Sequence, residues 1–351
     1  MSAREEIVMH TRLSRRIVLF APAALAAATA GRVVVAQSTP PPGLTWVEGA
    51  PIPQERSELA AAVIEEQIYV VGGFGGGERV DRYDVATATW ERVADLPVGV
   101  HHPGVAALDG ILYVGGGYTG SGHGAVDHVW AYDRDMDAWE ERAPLPVANG
   151  ALGLAAVEGT LYAVGGATER LGGPVHGGVE AYDPAADTWQ PRAAMPTPRE
   201  HLAVVAGDGV IYTVGGRANG DEGDQFAAAN EGYEPGTDAW TALPALPVPR
   251  GGFTGVYANG LVVVMGGERG PDAYDNVDAY DPARETWTAL PPLPIARHGL
   301  ASAAVGGTVY AITGSVRARG IDNVATMHVL DLTEGAATPV VDRIVESHRP
   351  A

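Results

Sequence analysis

The chain has 351 residues, of which 46% are hydrophobic and 19% are charged, and its formal net charge is −20 at pH 7. It has no cysteine and all 23 basic residues are arginines, which excludes disulfides, thiolate metal sites, a cysteine nucleophile and a lysine Schiff base. The acidic balance argues against nucleic acid as a partner, because binding to phosphates needs a basic face.

Residues 1–36 have the pattern of an export signal. Arg15 and Arg16 precede a long apolar stretch, and small residues then lead to Ala36. The arginine pair resembles a twin-arginine signal, with an ordinary secretory signal as the alternative, and cleavage fits after Ala30 or after Ala36. The sequence therefore predicts a protein that is exported to the periplasm or the extracellular space, without a membrane span once the signal is removed.

A set of landmarks then recurs six times. An apolar run ends in a residue pair at Gly72-Gly73, Gly116-Gly117, Gly165-Gly166, Gly215-Gly216, Gly266-Gly267 and, degenerate, Thr313-Gly314. A tyrosine followed by an acidic residue comes next, at Tyr83, Tyr132, Tyr182, Tyr233 and Tyr280, with Leu330 in the sixth place. Seven residues after each tyrosine stands a tryptophan, at Trp90, Trp139, Trp189, Trp240 and Trp287. The sixth tryptophan is missing, but Trp46 stands before the first repeat.

The spacing of these landmarks predicts four strands in each repeat. Dipeptides such as Asp109-Gly110 and Asn259-Gly260, which favour two-residue hairpin turns, precede the β-rich apolar runs. Each repeat therefore consists of strand a, a tight turn, strand b ending at the Gly pair, a loop of variable length, strand c with the tyrosine, a short turn, and strand d with the tryptophan. Repeated four-stranded units indicate a β-propeller.

The order Gly-Gly, Tyr-Asp, Trp at a period near 50 resembles the kelch repeat. The resemblance implies an all-β fold, a six-bladed kelch-type β-propeller with four antiparallel strands per blade, over residues 44–332. It also implies that the N-terminal strand around Trp46 closes the ring. Residues 37–43 then form a Pro-rich linker and residues 333–351 a C-terminal tail.

In such blades the connection from strand d to the next strand a and the b–c loop emerge on the same face, which we call the loop face. Ten residues after each tryptophan, the d–a connections carry an inner series of six residues: Arg56, Val100, Asn149, Arg199, Arg250 and Arg297. Arginines recognise carboxylates through bidentate hydrogen bonds, and some kelch domains hold acidic side chains at this register. The series therefore predicts a site for an acidic small molecule or protein partner, and the alternative is that each arginine braces its blade.

Histidines and a glutamate follow the inner series, at His101, His102, Glu200, His201 and His298. His101 and His298 are further candidates for ligand binding. One alternative is that the four histidines converge near the axis and bind a metal ion. Their carboxylate neighbours are few and their positions span three blades, so surface or bracing roles are favoured and the sequence predicts neither a metal nor another cofactor.

Two classes of function remain open. The first is an exported, non-enzymatic binding protein that uses the loop face. The second is an enzyme, since exported sialic acid mutarotases resemble this architecture. That resemblance implies acid/base roles for Glu200 and His201, with Arg199, Arg250 and Arg297 holding the sugar carboxylate. Copper chemistry of the galactose oxidase kind is excluded, because it needs a cysteine crosslinked to tyrosine.

Overall fold

A computed structural model describes residues 41, 43–120, 124–170, 173–218, 225–318 and 322–333. The predicted signal and nearly all of the predicted linker and C-terminal tail lie outside the described residues. Within them the regular structure is all β, and none of it forms a helix that is long and apolar enough to cross a membrane.

The strands follow the predicted order. The first is the short strand β1 (Val47–Glu48). Blade 1 contains β2 (Ala60–Ile64), β3 (Gln67–Val71), β4 (Val80–Asp84) and β5 (Thr89–Arg92). Blade 2 contains β6 (Gly104–Leu108), β7 (Ile111–Gly115), β8 (Val129–Asp133) and β9 (Ala138–Arg142). Blade 3 contains β10 (Gly153–Val157), β11 (Thr160–Val164), β12 (Val179–Asp183) and β13 (Thr188–Arg192).

Blades 4 and 5 add a small ladder to their b–c loops. Blade 4 contains β14 (Ala203–Gly207), β15 (Val210–Val214), the loop strands β16 (Arg217–Ala218) and β17 (Gln225–Phe226), then β18 (Asn230–Glu234) and β19 (Ala239–Leu243). Blade 5 contains β20 (Thr254–Ala258), β21 (Leu261–Met265), the loop strands β22 (Glu268–Arg269) and β23 (Asp272–Ala273), then β24 (Val277–Asp281) and β25 (Thr286–Ala289). Blade 6 contains β26 (Ala301–Val305), β27 (Thr308–Ile312) and β28 (Met327–Asp331).

Each blade is a four-stranded antiparallel sheet, so the predicted six-bladed propeller is confirmed. The first strand of every blade packs against the first strands of both neighbouring blades, and these inner strands form a closed ring around the axis. The a–b turns of blades 2 to 6 are two-residue turns with positive φ at both positions, for example 52° at Asp109 and 78° at Gly110. This is the geometry that matches the twist of the flanking strands.

The N-terminal strand closes the ring, as the position of Trp46 predicted. β1 pairs with β28 through Val47 and Val329, and it supplies the outer strand that blade 6 lacks. The indole of Trp46 donates a hydrogen bond to the carbonyl of Pro291 in blade 5, 2.8 Å away.

The tryptophans join each blade to the one before it. The indoles of the six strand-d tryptophans each donate a hydrogen bond of 2.8–2.9 Å to a backbone carbonyl of the preceding d–a connection, and the accepting residues are Pro291, Ala50, Ala94, Ala143, Ala193 and Pro244. A buried indole needs such a partner. The hydrophobic core is accordingly divided into clusters that lie between adjacent blades. The regular period of Trp in the sequence is therefore the period of the inter-blade contact.

A second contact between blades is made by an aspartate in the c–d turn. Asp187 accepts hydrogen bonds from the Tyr182 hydroxyl, 2.6 Å away, and from the backbone N–H of Ala143 in the preceding blade, 2.9 Å away. Asp137 and Asp238 make the same pair of contacts in blades 2 and 4. The hydrogen bond from Tyr182, followed by that from Ala143, lowers the pKa of Asp187.

These contacts predict a pH-dependent contribution to stability. A carboxylate whose pKa is lowered by folding stabilises the folded state above its unfolded pKa near 3.9, and this stabilisation is lost as the pH falls through the folded value. We expect Asp187→Asn to lower the melting temperature at pH 7, with the difference from the original chain closing below about pH 4. Calorimetry at both pH values, with Asp272→Asn on an exposed loop as the control, checks this. A difference that persists or grows on acidification would contradict it.

Candidate functional site at the propeller axis

The residues that the sequence singled out lie on the loop face, next to the axis, in three successive rings. The first ring is the inner series, and the structure buries it completely: Arg56, Arg199, Arg250 and Arg297 are each 0% exposed. A guanidinium without exposed surface cannot meet a ligand that arrives from solvent. The prediction that these arginines form an anion site is therefore corrected, and the bracing alternative is the one that fits.

The bracing contact explains the fixed distance of sixteen residues in the sequence. In every blade except blade 2, where the inner residue is Val100, the inner side chain donates to the backbone carbonyl sixteen positions later, which is the first residue of the Gly pair. The pairs are Arg56 with Gly72, Asn149 with Gly165, Arg199 with Gly215, Arg250 with Gly266, and Arg297 with Thr313. A side chain at this first position has no room, since a Cβ on Gly72 would lie 2.5 Å from the Val100 carbonyl oxygen. Thr313, which also has positive φ, is held by hydrogen bonds of its hydroxyl with the backbone of Arg56.

Each buried arginine also has a polar partner on strand c, two residues before the Tyr position. Arg56 pairs with Asp81 at 2.6 Å, Arg199 with Glu231 at 2.5 Å, and Arg250 with Asp278 at 2.8 Å. Buried charges are tolerated when paired in this way.

Blade 6 departs from this rule, because Arg297 has the His328 ring nitrogen Nδ1 as its partner, at 2.5 Å. Burial lowers the pKa of Arg297 to about 10. Burial, followed by the charge of Arg297, lowers the pKa of His328, so this histidine accepts the hydrogen bond as a neutral ring. In blade 2 the inner residue Val100 and the strand-c residue Trp130 belong to one hydrophobic cluster instead.

The second ring lies two residues after the inner series and faces the axis. Its members are Glu58, His102, Ala151, His201, Gly252 and Gly299, all with φ between 50° and 63°. The backbone N–H of each donates to the carbonyl of the equivalent residue in the preceding blade at 2.7–3.0 Å, which makes a closed circle of six hydrogen bonds around the axis. This circle directs the side chains of Glu58, His102 and His201 toward one another.

The third ring was missed by the sequence analysis. It consists of the residues directly after the Gly pairs: Phe74, Tyr118, Ala167, Arg217, Glu268 and Ser315. Each of them forms a β-bridge with the residue that directly follows an inner-series residue. Through these bridges Arg217 and Glu268 reach the axis. Because each of these residues directly follows a Gly pair, the repeat alone was enough to identify them in the sequence.

Together the rings form what we call the axial cluster: Glu58, His101, His102, Glu200, His201, Arg217, Glu268 and His298. The Glu58 carboxylate lies at its centre, 3.1 Å from Nε2 of His102 through Oε2 and 3.2 Å from Nε2 of His298 through Oε1. The carboxylates of Glu58, Glu200 and Glu268 all lie beside histidines, so the expectation that the histidines have few carboxylate neighbours is wrong.

Glu200 and His201, the predicted acid/base pair, are in direct contact. Oε2 of Glu200 forms a hydrogen bond with Nδ1 of His201. On the other side of Glu200, its Oε1 lies 3.7 Å from Arg217, and Arg217 also pairs with Glu268. The cluster is thus a continuous polar network across blades 4, 5, 6, 1 and 2.

The two adjacent histidines of blade 2 form a second line of contacts. Nδ1 of His101 lies 2.6 Å from Nδ1 of His102, and Nε2 of His101 lies 3.1 Å from the carbonyl oxygen of Gly120. The rings of His101 and Phe74 have centroids 4.0 Å apart. His101 is 3% exposed and His102 is 8% exposed, so both rings are held under the loops.

Burial and mutual charge shift the pKa values within the cluster in opposite directions. Burial lowers the pKa of His101 to about 4 and that of His102 well below its usual range. His298 behaves differently: burial lowers its pKa, but contact with Glu58 and the charge of Glu268 outweigh burial and raise it overall. Burial raises the pKa of Glu58, yet the surrounding histidines bring it well below the ordinary value. Both shifts favour the charged forms of Glu58 and His298 in their contact.

Inside the second ring the axis is open. A cavity of about 140 Å³ is lined by Glu58, His102 and His201 at one end and by the inner strands along its wall. A second cavity of about 260 Å³ lies farther along the channel and shares lining residues with the first, among them Leu154 and Val204. The side chains along the channel walls are mostly small and aliphatic, and the histidine and glutamate side chains form an ionisable end to this tunnel.

The closed ring of blades and its axial cluster define the molecule as a six-bladed β-propeller with a polar axial site. A family model of the Kelch motif matches residues 55–97, 100–146, 150–196 and 249–294, together more than half of the chain. The chain therefore belongs to the kelch-repeat family, and kelch propellers generally bind protein partners.

Curated relatives match short segments. Kelch-like protein 35 of Homo sapiens is 40% identical over 76 residues, which are 21% of this chain and 13% of that protein. Kelch-like protein terF of Aspergillus terreus is 37% identical over 70 residues, 18% of this chain and 15% of that protein. The matched segments thus span only a small part of these relatives.

A solved structure titled "Structure of YjhT" has a similar fold. The match covers 82% of this chain and 97% of that chain, with a TM-score of 0.73 and 15% sequence identity.

Proposed function

We propose that this protein is an exported binding protein whose loop face takes an acidic ligand or protein partner. The observation that carries the proposal is the division of the arginines into two sets. The four inner-series arginines are buried and hydrogen-bonded within the blades. The b–c loops of blades 3, 5 and 6, in contrast, carry Arg170, Arg269 and Arg317 on the loop face. Arg269 and Arg317 are exposed. Although the chain as a whole has a net charge of −20, these positive side chains favour an anionic partner at the loop face.

Export is part of the same proposal. It is supported by Arg15 and Arg16 and by the apolar stretch that follows them. These sequence features concern residues outside those that the structure describes.

Binding of charge-matched peptides tests the proposal. We expect a fluorescent Glu-rich peptide to bind in a salt-dependent way and a Lys-rich peptide of equal length not to bind. The double variant Arg269→Ala/Arg317→Ala should weaken binding about tenfold or more, since the charge-assisted contacts to carboxylates are lost. Arg134→Ala/Arg284→Ala is a matched control, because both residues lie in c–d turns on the opposite face. Equal loss in both double variants, or preference for the Lys-rich peptide, would contradict the proposal.

The contact between Glu200 and His201 favours a second candidate, a sialic acid mutarotase-like isomerase. Burial raises the pKa of Glu200, but contact with His201 outweighs it and keeps Glu200 ionised, which suits a carboxylate that orients an acid/base histidine. Arg199, Arg250 and Arg297 are buried away from a substrate, so Arg217 is the cation left near this pair. Adding sialic acid to the binding experiment and following its anomers by NMR separates the two candidates. Faster anomerisation that Glu200→Gln abolishes would favour the isomerase.

A further inference from the structure

The centre of the axial cluster contains more hydrogen-bond contacts than neutral histidines can supply with protons. Three contacts lie in line: Glu58 Oε2 with His102 Nε2 at 3.1 Å, His102 Nδ1 with His101 Nδ1 at 2.6 Å, and His101 Nε2 with the Gly120 carbonyl at 3.1 Å. Each contact needs one proton, and both ends are oxygen acceptors. Two neutral imidazoles carry two protons, so the third contact needs a further proton or a bound cation.

We propose that a divalent transition-metal ion binds at this point, held by Glu58, His102 and His201. One donor atom from each of these residues lies within 4.8 Å of the other two. The 3.1 Å between Glu58 Oε2 and His102 Nε2 also falls within the separation of two neighbouring ligands on one ion, because donors about 2.1 Å from a metal at angles of about 90–110° lie about 3.0–3.4 Å apart.

The metal ion resolves the proton count. With Nε2 of His102 as a ligand, Nδ1–H of His102 donates to His101, and Nε2–H of His101 donates to Gly120. Both rings remain neutral, and every contact has one proton or the ion. This suits their burial, since a buried ring disfavours the charged imidazolium form.

Each of the three ligands also has the outer hydrogen-bond partner that metal sites use to orient their ligands. His298 contacts the second oxygen of Glu58, His101 contacts Nδ1 of His102, and Glu200 contacts Nδ1 of His201, which leaves Nε2 of His201 for the ion.

Two histidines and one carboxylate bind Zn²⁺ or Fe²⁺ with open positions. Here the open positions face the 140 Å³ cavity, where water or a small ligand can occupy them. The site thus goes beyond the proposed partner binding on the loop face, because its ligands lie beneath the loops.

Metal titration of the full chain, purified without a histidine tag and stripped with a chelator, tests the site. We expect one equivalent of Zn²⁺ or Co²⁺ to bind, with visible Co²⁺ bands and a raised melting temperature. Glu58→Gln, His102→Gln and His201→Gln should each reduce the affinity at least 100-fold, and Glu200→Gln, which changes only an outer partner, about 10- to 100-fold. His128→Gln, at a half-buried histidine outside the axial cluster, serves as the control.

Several outcomes would overturn the proposal. Saturable binding weaker than about 100 µM, or binding that survives all three ligand variants, would mean that the cluster takes a proton and not a metal ion. Far-UV circular dichroism of each metal-free variant shows whether it has folded. X-ray absorption of the Zn²⁺-loaded original chain gives a reading that needs no variant: two imidazole ligands support the site, and one or none excludes it.

Discussion

Replacing Trp46 by alanine is expected to lower the free energy of unfolding by about 3–5 kcal/mol, the range for large aromatic residues in a core. Trp46 is 8% exposed, packs in one hydrophobic cluster with Leu290 and Leu330, and donates its indole hydrogen bond to blade 5. It is also the anchor of β1, so its loss weakens the seam at which the ring closes. Urea unfolding followed by circular dichroism measures the change.

Val47→Ala is the matched control for this variant. Val47 belongs to the same strand but is 58% exposed, and its backbone pairing with Val329 does not depend on its side chain. A change within about 0.5 kcal/mol is expected for such a surface substitution. If Trp46→Ala unfolds at the same urea concentration as the original chain, the strand is not needed to close the ring.

The second large effect is expected from Arg250→Met. This substitution removes a fully buried guanidinium, together with its hydrogen bonds to the backbone of Gly266 and Val248, and leaves the Asp278 carboxylate without its cation. Breaking one side of a buried ion pair costs about 3–5 kcal/mol. Thermal and urea unfolding check the prediction, and Arg317→Met, at an exposed residue, should change stability by less than about 0.5 kcal/mol.

The double variant Arg250→Met/Asp278→Leu distinguishes bracing from ligand binding. Replacing both partners by apolar residues removes the unpaired charge, and we expect it to restore much of the lost stability. Blade 2 provides the precedent within this chain, since Val100 and Trp130 fill the equivalent positions. A single variant that stays fully stable but loses an acidic ligand would instead restore the anion-site interpretation.

The blades were predictable because their chemistry is local and repeated. The Gly pairs, the tyrosines and the tryptophans keep fixed distances, and Trp46 could be assigned to blade 6 because one tryptophan was missing and one was left over. The structure adds the reason for the spacing: the indole reaches the carbonyl of the preceding blade, and the inner residue reaches the carbonyl sixteen positions later.

The direction of the arginines was harder to predict. A long flexible side chain at the funnel can turn outward to a ligand or inward to its own blade, and position in the repeat does not decide between them. The inward direction depends on the partner on strand c. Asp81, Glu231 and Asp278 pair with three of the four inner arginines, and His328 contacts the fourth. The axial cluster depends on contacts between different blades, such as Glu58 with His298, which no single repeat contains.

The pairing of β1 with β28 also determines when, during synthesis of the chain, the ring can close. Val47 leaves the ribosome about 280 residues before Val329, its partner. At synthesis rates of about 5–20 residues per second, the first strand waits roughly 15–60 s before its place in blade 6 exists. During that interval blades 1 to 5 can assemble only as an open arc, and Trp46 lacks the blade-6 side chains that bury it. The last strand to be made therefore completes the blade that the first strand began.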